Sequence, residues 1–362
     1  MIVMKFGGTS LGDRTRLERM AQLVLAERRP LAVVVSAMGD TTDRLLRAGH
    51  LAAAGDEASA LEQVAIVERA HLAVSDDEQL RAEVVSRIEE LRSLLHGVRL
   101  LREQTPRSRA LLASFGERLS APLAAAMVRE AGRQARWIDA RCFVRTDEAW
   151  EAGRVDRQVT REQGRSVLLP VIGDGVVPVI TGFLGATADG VTTVLGRSGS
   201  DYTAALVGSV LDAAEVVIWT DVDGILTADP RVVPEARTLP RVSYREAAEM
   251  SYFGAKVLHP KTMLPCEQAG IPIRIRSTFH PELPGTVVGE VSGEVPHGVK
   301  TVTTVDALSM VTVAGRGMAG LPGIARRIFE AAERVGVSIL MISQASSEQT
   351  VSVVVRSDDA AR

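Results

Sequence analysis

The chain has 362 residues, with 42 Lys plus Arg against 45 Asp plus Glu and a formal net charge of -3, a length that predicts about two domains. Hydrophobic residues make up 46% and charged residues 24%, which excludes a disordered or collagen-like chain. The near-neutral balance and the scarcity of aromatic residues, 3 Trp, 3 Tyr and 7 Phe, predict no nucleic-acid partner, because there is neither a basic footprint nor a stacking platform.

Cys142 and Cys266 match no paired metal or redox spacing, so a reduced, cytoplasmic location is expected. The opening MIVMKFGGTS reaches Lys5 and two glycines before an apolar stretch of signal-peptide length can form. With no uncharged apolar run of about 18 residues, no membrane association is expected.

In chain order, Ile2 to Phe6 is an apolar run ending in Gly7-Gly8-Thr9-Ser10, followed by a helical stripe of Leu17, Met20, Ala21, Val24 and Leu25 that stops at Pro30. Leu31 to Val35 is a second β-branched run, and Ser36 to Thr42 a second small-residue turn. Strand, helix, strand in this order predicts a largely parallel sheet. From about Asp43 to Thr105 the chain reads as a helical excursion, with Leu80, Val84, Ile88, Leu91, Leu95 and Val98 on one stripe packed against the core. A helix is predicted from Arg109 to Ala131, and strands at Ala135 to Ile138 and Val176 to Phe183. Asp189-Gly190 predicts a type I′ hairpin. Gly196 to Asp201 then opens a helix over Tyr202 to Leu211, and Glu215 to Trp219 is a strand leading into the polar segment Thr220 to Arg231.

Ser243-Tyr244-Arg245-Glu246 is a capping-box signature for a helix start. Ile271 to Arg276 is a further strand, and the Gly- and Pro-containing stretch after it reads as a linker. The predicted organisation is a domain over 1–280, a linker over 281–305 and a second unit over 306–362 with β-α-β-β order. That second unit looks unfinished.

Three glycine-bearing turns, Lys5 to Ser10, Ser36 to Thr42 and Gly196 to Asp201, each stand between a strand and a helix. Such turns concentrate backbone N–H groups where phosphates bind. In a parallel sheet whose strands end at a common edge they point to one crevice. Lys5 can extend over its turn toward phosphate oxygens. Arg197 can hold a carboxylate bidentately, and Asp201 can orient a lysine. No Gly-Lys dipeptide occurs, which excludes a Walker A loop. Gly315 to Gly320 fits G-x-G-x-x-G, but too few residues follow for a dinucleotide domain and Gln344 stands where an acid is needed. The six histidines have no metal-ligand spacing, and no nucleophile elbow is present. Of them, His259 is expected to pack at a helix end.

These motifs resemble the amino-acid kinase superfamily and, within it, the aspartate kinases. Lys5-Phe6-Gly7-Gly8-Thr9-Ser10 looks like the opening motif, Val35 to Gly39 with Thr42 the second turn, and Ser114-Phe115-Gly116-Glu117 the acidic helix. Gly196 to Ala204 resembles the substrate loop, Trp219 to Gly224 with Asp229-Pro230-Arg231 the nucleotide loop, and Phe253 to Pro260 the marker before the regulatory part. The resemblance is collinear over the whole chain. It implies an αβα sandwich with a largely parallel central sheet, followed by a partial ACT domain. The implied reaction is transfer of the γ-phosphoryl group of MgATP to the β-carboxylate of L-aspartate, the first step of lysine, threonine and methionine biosynthesis.

By the same resemblance Lys5 and Asp201 are catalytic, and Thr9, Ser36, Thr42, Glu117, Arg197 and Ser200 bind the amino acid, Arg197 on a carboxylate and Glu117 on the ammonium. Lys5, Gly7, Gly8, Ser10, Thr220, Asp221, Arg231 and Lys256 bind ATP, with magnesium held mainly by the phosphates and by no dedicated protein ligands. Gly315 to Gly323 would be an effector loop for lysine or threonine, Ile342 to Glu348 an interface segment, and a homodimer is expected. The family has a further helix and strand and a second ACT unit, so this chain is expected to be a piece of a longer protein, with a bifunctional one left open. Ser198 stands where the family has glycine, and Leu226 where it often has an aromatic. The alternatives are another carboxylate acceptor (glutamate or acetylglutamate), a nucleotide monophosphate, or an effector-binding subunit without turnover.

Overall fold

A computed structural model describes residues 1–253, 258–290, 298–315, 317–318, 320–346 and 349–361. The chain divides into two compact units, Met1–Val302 and Thr303–Arg362.

The first unit is built on an eight-stranded sheet. Its strands are β1 (Ile2–Phe6), β2 (Leu31–Val35), β3 (Ala135–Ile138), β4 (Val177–Thr181), β7 (Glu215–Thr220), β8 (Arg241–Val242), β9 (Ile273–Ser277) and β10 (Thr286–Val288), in the order β3-β4-β2-β1-β7-β9-β10-β8. From β3 to β9 every neighbour is parallel, while β10 runs antiparallel to β9. Every residue of β1 and of β2 is buried, which is why these strands read as continuous apolar runs rather than alternating ones.

Helices cover both faces. One apolar layer joins Ile2, Met4 and Phe6 to α1 (Arg14–Ala26), α2 (Thr41–Ala54), α3 (Glu57–Leu72), α4 (Glu78–Leu101) and α5 (Pro106–Glu130). The other joins Val3, Val34 and Ile218 to α6 (Arg157–Gly173), α7 (Gly199–Val210), α8 (Tyr244–Tyr252) and α9 (Pro260–Ala269). This is the expected αβα sandwich. The predicted excursion is the three helices α2 to α4, and the stripe Leu80 to Val98 is the buried face of α4. Ser243 and Glu246 form the reciprocal capping box at the start of α8.

Several details differ from expectation. The helices α6 and α9 were not anticipated: the buried face of α6, Thr160, Gly164, Leu168 and Val171, is half polar or glycine, and Pro265 stands in the middle of α9 and reads as a breaker. His259 caps α9, its side chain accepting from the Lys261 N–H. The segment 281–305 is not a linker throughout: it adds β10 to the main sheet and pairs the Val302 N–H with the Thr227 carbonyl at 3.0 Å. The first unit therefore runs to Val302. The hairpin β5 (Leu184–Ala186) and β6 (Thr192–Val194) closes through a Thr187 to Gly190 turn, and of the Asp189-Gly190 pair only the glycine has positive φ, 77°. A type I′ turn needs positive φ at both central residues, so this is a longer loop with a glycine bulge.

The second unit has β11 (Leu308–Ala314), α10 (Ile324–Arg334), β12 (Met341–Gln344) and β13 (Thr350–Arg356), with an antiparallel sheet in the order β11-β13-β12. The β-α-β-β order is as predicted. The helix starts after Gly323, which is held at φ 91°. No helix among the described residues is long and apolar enough to cross a membrane.

One core side chain makes stability depend on pH. His71 on α3 has no exposed surface, and its Nδ1 lies 2.7 Å from the Val67 carbonyl, which makes Nδ1 the protonated nitrogen. Its Nε2 has no partner among the described residues. Burial therefore pushes the imidazole down to about 4 from 6.5. The unfolded chain binds the proton first, so stability is lost as pH falls from 6.5 toward 4. As pH falls across that window, the urea midpoint of the wild type should decline relative to that of His71→Leu; parallel curves would remove the assignment.

Candidate active site

The site begins with the alternation of β1. Ile2, Met4 and Phe6 face the α5 layer, whereas Val3 and Lys5 face α7. Lys5 is thus the last residue of the strand on that side and stands below the first turn of α7. Its Nζ lies 2.7 Å from Asp201 Oδ1, with the two side chains 10% and 15% exposed. A lysine this buried needs a counter-charge, and Asp201 is also favoured by the positive end of its own helix.

Two glycines let the turns close around this pair. A Cβ on Gly8 would stand 2.9 Å from the Ala37 carbonyl and 3.0 Å from that of Gly39, while the Gly39 N–H donates to the Gly8 carbonyl at 3.0 Å. Only glycine allows the first and second turns to interlock at this distance. A Cβ on Gly116 would lie 2.6 Å from Ala37 Cβ and 3.2 Å from Thr42 Oγ1. α5 is therefore seated directly on the second turn, which brings Glu117 beside Ser200. The Ser200 hydroxyl donates to Glu117 Oε1 at 3.4 Å. The other carboxyl oxygen, Oε2, has no partner among the described residues. Burial dominates, and pushes Glu117 up to about 8 even though the Ala37 N–H, Ser200 and the charge of Lys5 all act to lower it.

These groups line a cavity of about 450 Å³. Of the residues proposed from sequence it brings together Lys5, Gly8, Ser36, Thr42, Glu117, Arg197, Ser200 and Asp201. Arg197 is exposed at its rim. The remaining residues lie elsewhere. Thr9 is exposed, and its carbonyl accepts from Arg16 at 2.8 Å. Ser10 is fully buried with its hydroxyl 2.7 Å from that of Thr278, a tie between the ends of β1 and β9 that leaves no side chain for a nucleotide. The Gly7 N–H donates to the Trp219 carbonyl at 3.2 Å, so the phosphate donor expected there is already engaged. Thr220 and Asp221 follow at the end of β7, joined by a hydrogen bond of 3.1 Å. Arg231 is ion-paired with Asp229 at 2.6 Å on an exposed loop. Lys256 lies outside the described residues.

Both departures from the resembled family have visible surroundings. Ser198 sits at φ 56°, ψ 29°, the left-handed region that glycine enters freely and other residues enter at a cost of about 1 kcal/mol. Leu226 bridges to Thr238 and its carbonyl accepts from Thr301 at 3.0 Å.

Arg109, Glu151 and Phe183 also line the cavity and were not anticipated. Arg109 and Ala113 precede Glu117 by eight and four residues, so helical periodicity on α5 could have found them. Nothing in the sequence signalled Phe183, which is held at φ 67°. In the second unit, a cavity of about 370 Å³ is lined by Gly320 to Ala325 and Gln344. It coincides with part of the expected effector loop; Arg316 and Ala319 of that loop, and Ser347 and Glu348 of the expected interface segment, lie outside the described residues. Among the described residues no group of three or more His, Cys, Asp or Glu is placed to hold a metal.

Comparison with known proteins matches residues 1–277 to the amino acid kinase family. The chain belongs to that family. Residues 311–362 match an ACT domain. The chain is 37% identical over 363 residues to bifunctional aspartokinase/homoserine dehydrogenase 2, chloroplastic, of Zea mays, covering 96% of this chain and 39% of that protein. It is 35% identical over 359 residues to aspartokinase 1, chloroplastic, of Arabidopsis thaliana, covering 97% and 62%. It thus spans about two fifths to three fifths of the length of these curated relatives. Among solved structures, E. coli aspartokinase III in complex with aspartate and ADP superposes with a TM-score of 0.83 at 32% identity, covering 98% of this chain and 78% of that one. The same enzyme in complex with lysine and aspartate superposes with a TM-score of 0.84 at 32% identity, covering 98% and 79%.

Within this amino acid kinase fold, Glu117 makes its own pH dependence. The folded protein keeps a proton that the unfolded chain releases above its ordinary carboxyl value, 4.5, so stability is lost as pH rises from 4.5 toward 8. Urea midpoints of the ligand-free protein should drop between pH 6.5 and 8, above the window in which His71 acts in the opposite sense, and drop less in Glu117→Gln. Parallel curves for the two proteins would count against a buried, neutral Glu117.

Proposed function

We propose that this chain transfers the γ-phosphoryl group of ATP to the β-carboxylate of L-aspartate, giving 4-phospho-L-aspartate and ADP. The observation that carries the reading is the buried Lys5–Asp201 pair in the wall of a cavity that also holds Glu117 and Arg197. The acceptor carboxylate is an anion at neutral pH, so no general base is needed. The obstacle is the approach of two anions, which calls for alignment and positive charge. Lys5 supplies that charge at the end of β1, and Asp201, 2.7 Å away, holds it in place. Arg197 takes the α-carboxylate through paired N–H donors. An arriving ammonium beside Glu117 offsets the burial that holds its proton, so Glu117 ionises as the amino acid binds. The β-carboxylate oxygen forms the new P–O bond as the bond to the ADP oxygen breaks.

ATP would lie across Gly8 and the end of β7, with Thr220, Asp221, Arg231 and Lys256 on the nucleotide; Gly7 and Ser10 shape the turn. Magnesium would be held mainly by the phosphates and would neutralise charge on them. The aspartate and ADP complex of E. coli aspartokinase III supports both ligands. Glu117 favours a free ammonium, which acetylglutamate lacks, and the ACT domain over residues 311–362 counts against a nucleotide monophosphate acceptor. The intact Lys5–Asp201 pair counts against a subunit without turnover.

The second unit would take a lysine or threonine effector near the Gly320 to Ala325 cavity; the lysine complex of E. coli aspartokinase III supports this. A homodimer is part of the proposal, as is a place at the head of lysine, threonine and methionine synthesis. A reducing compartment such as the cytoplasm accords with the free thiols of Cys142 and Cys266, although the plant relatives are named as chloroplastic.

Hydroxylamine trapping with MgATP and a panel of aspartate, glutamate and acetylglutamate should give hydroxamate with aspartate alone. Hydroxamate with a different acceptor, or with none, would overturn the assignment. Lys5→Ala should lower turnover by roughly 10²–10³-fold with an unchanged circular dichroism spectrum; retained turnover would remove Lys5 from the chemistry.

A further inference from the structure

The two walls of the active-site cavity are tied together at its mouth. One wall is α5, which carries Glu117. Arg109 lies eight residues earlier on the same helix face, about 12 Å along the axis. The other wall is the strand β6 and the turn leading into α7, which carries Arg197. Residues 150–153 are fastened to that wall: the Val194 N–H donates to the Trp150 carbonyl at 2.8 Å, and the Gly153 N–H donates to the Val194 carbonyl at 2.9 Å. The turn itself lies against this segment, since a Cβ on Gly196 would stand 3.4 Å from the Glu151 carbonyl.

Two arginines from the start of α5 reach across. Arg109 Nε lies 3.2 Å from Glu151 Oε1, with side chains 46% and 39% exposed, and the Arg107 guanidinium lies 5.7 Å from the centre of the Trp150 ring. We infer that the Arg109–Glu151 ion pair is a positioning strap that sets the spacing of Arg197 from Glu117, and so the fit of the acceptor amino acid. This rests on the reading of the cavity as an amino-acid site. The carboxylate and ammonium that those two residues would hold are attached to one carbon. Their separation is therefore constant, and the walls must match it. Neither strap residue touches the reacting atoms.

The pair is half exposed, so its effect is modest. Exposed ion pairs contribute up to about 1 kcal/mol, which corresponds to a two- to fivefold change, the upper end being about fivefold. Steady-state kinetics of Arg109→Ala and Glu151→Gln should each show the KM for aspartate raised by about two- to fivefold. The KM for ATP, kcat at saturating aspartate and the melting temperature should move little. The Arg109→Ala/Glu151→Gln double variant should be no worse than either single one, and the reversed pair Arg109→Glu/Glu151→Arg should recover most of the fit.

A field effect at the rim predicts something different. Removing the arginine would repel an anionic substrate and removing the glutamate would attract it, so KM shifts of opposite sign would overturn the strap. So would additive effects, or a joint change in both KM values with a loss of stability. If the wild type forms no hydroxamate with any acceptor, the site reading fails and the strap with it. If the wild type is active and the variants match it, only the strap fails.

Discussion

A single buried ion pair constrains the architecture around it. β1 is covered by a helical layer on each face, and every residue before Lys5 on this strand is apolar. An ammonium in that position is tolerated because Asp201 stands 2.7 Å away. Removing either partner leaves a largely buried charge without compensation, a loss of several kcal/mol in typical cases. The N-terminus of α7 must therefore lie over the end of β1. The turn that delivers it must be tight enough to hold Ser198 in the left-handed region.

The same enclosure treats two neighbouring charged groups in opposite ways. Lys5 has a partner and stays paired. Glu117 has a long hydrogen bond from Ser200 on one oxygen, and desolvation outweighs that bond, the Ala37 N–H and the nearby positive charge. Within the cavity, the Lys5–Asp201 pair is thus satisfied while the Glu117 carboxyl is held neutral by burial. Such a site discriminates by completing itself: a ligand that brings an ammonium satisfies Glu117, and one that does not leaves a buried polar group unpaired.

Much of the fold was legible because local signals were strong. Continuous β-branched runs, three glycine turns, the Leu80 to Val98 stripe and the Ser243 capping box each have one physical reading, and these readings agreed. The helix α6 was hidden because its buried face, Thr160, Gly164, Leu168 and Val171, has no continuous apolar stripe, and α9 because Pro265 breaks the local pattern while tertiary packing still holds the helix. Strand β10 was hidden because a three-residue strand between Pro281 and Gly298 has no periodicity to read. Its place comes from pairing with β9 and β8. For the site, the charged residues on glycine turns were visible from the sequence. The engagement of Gly7 with Trp219 and of Ser10 with Thr278 was not, since both partners lie more than two hundred residues away in the chain.

Sequence alone determined which chemistry is available: a lysine before a glycine pair, an acid and an arginine on a third turn, an acid within a helix, and no nucleophile elbow, no metal-ligand spacing and no Walker A loop. These are properties of residue type and short spacing, which chain order preserves. Tertiary structure decided which of those residues share one cavity, which are already engaged, and how each is charged. Those outcomes depend on distances between segments remote in sequence and on burial, and neither exists until the sheet and its two helical layers have closed around β1.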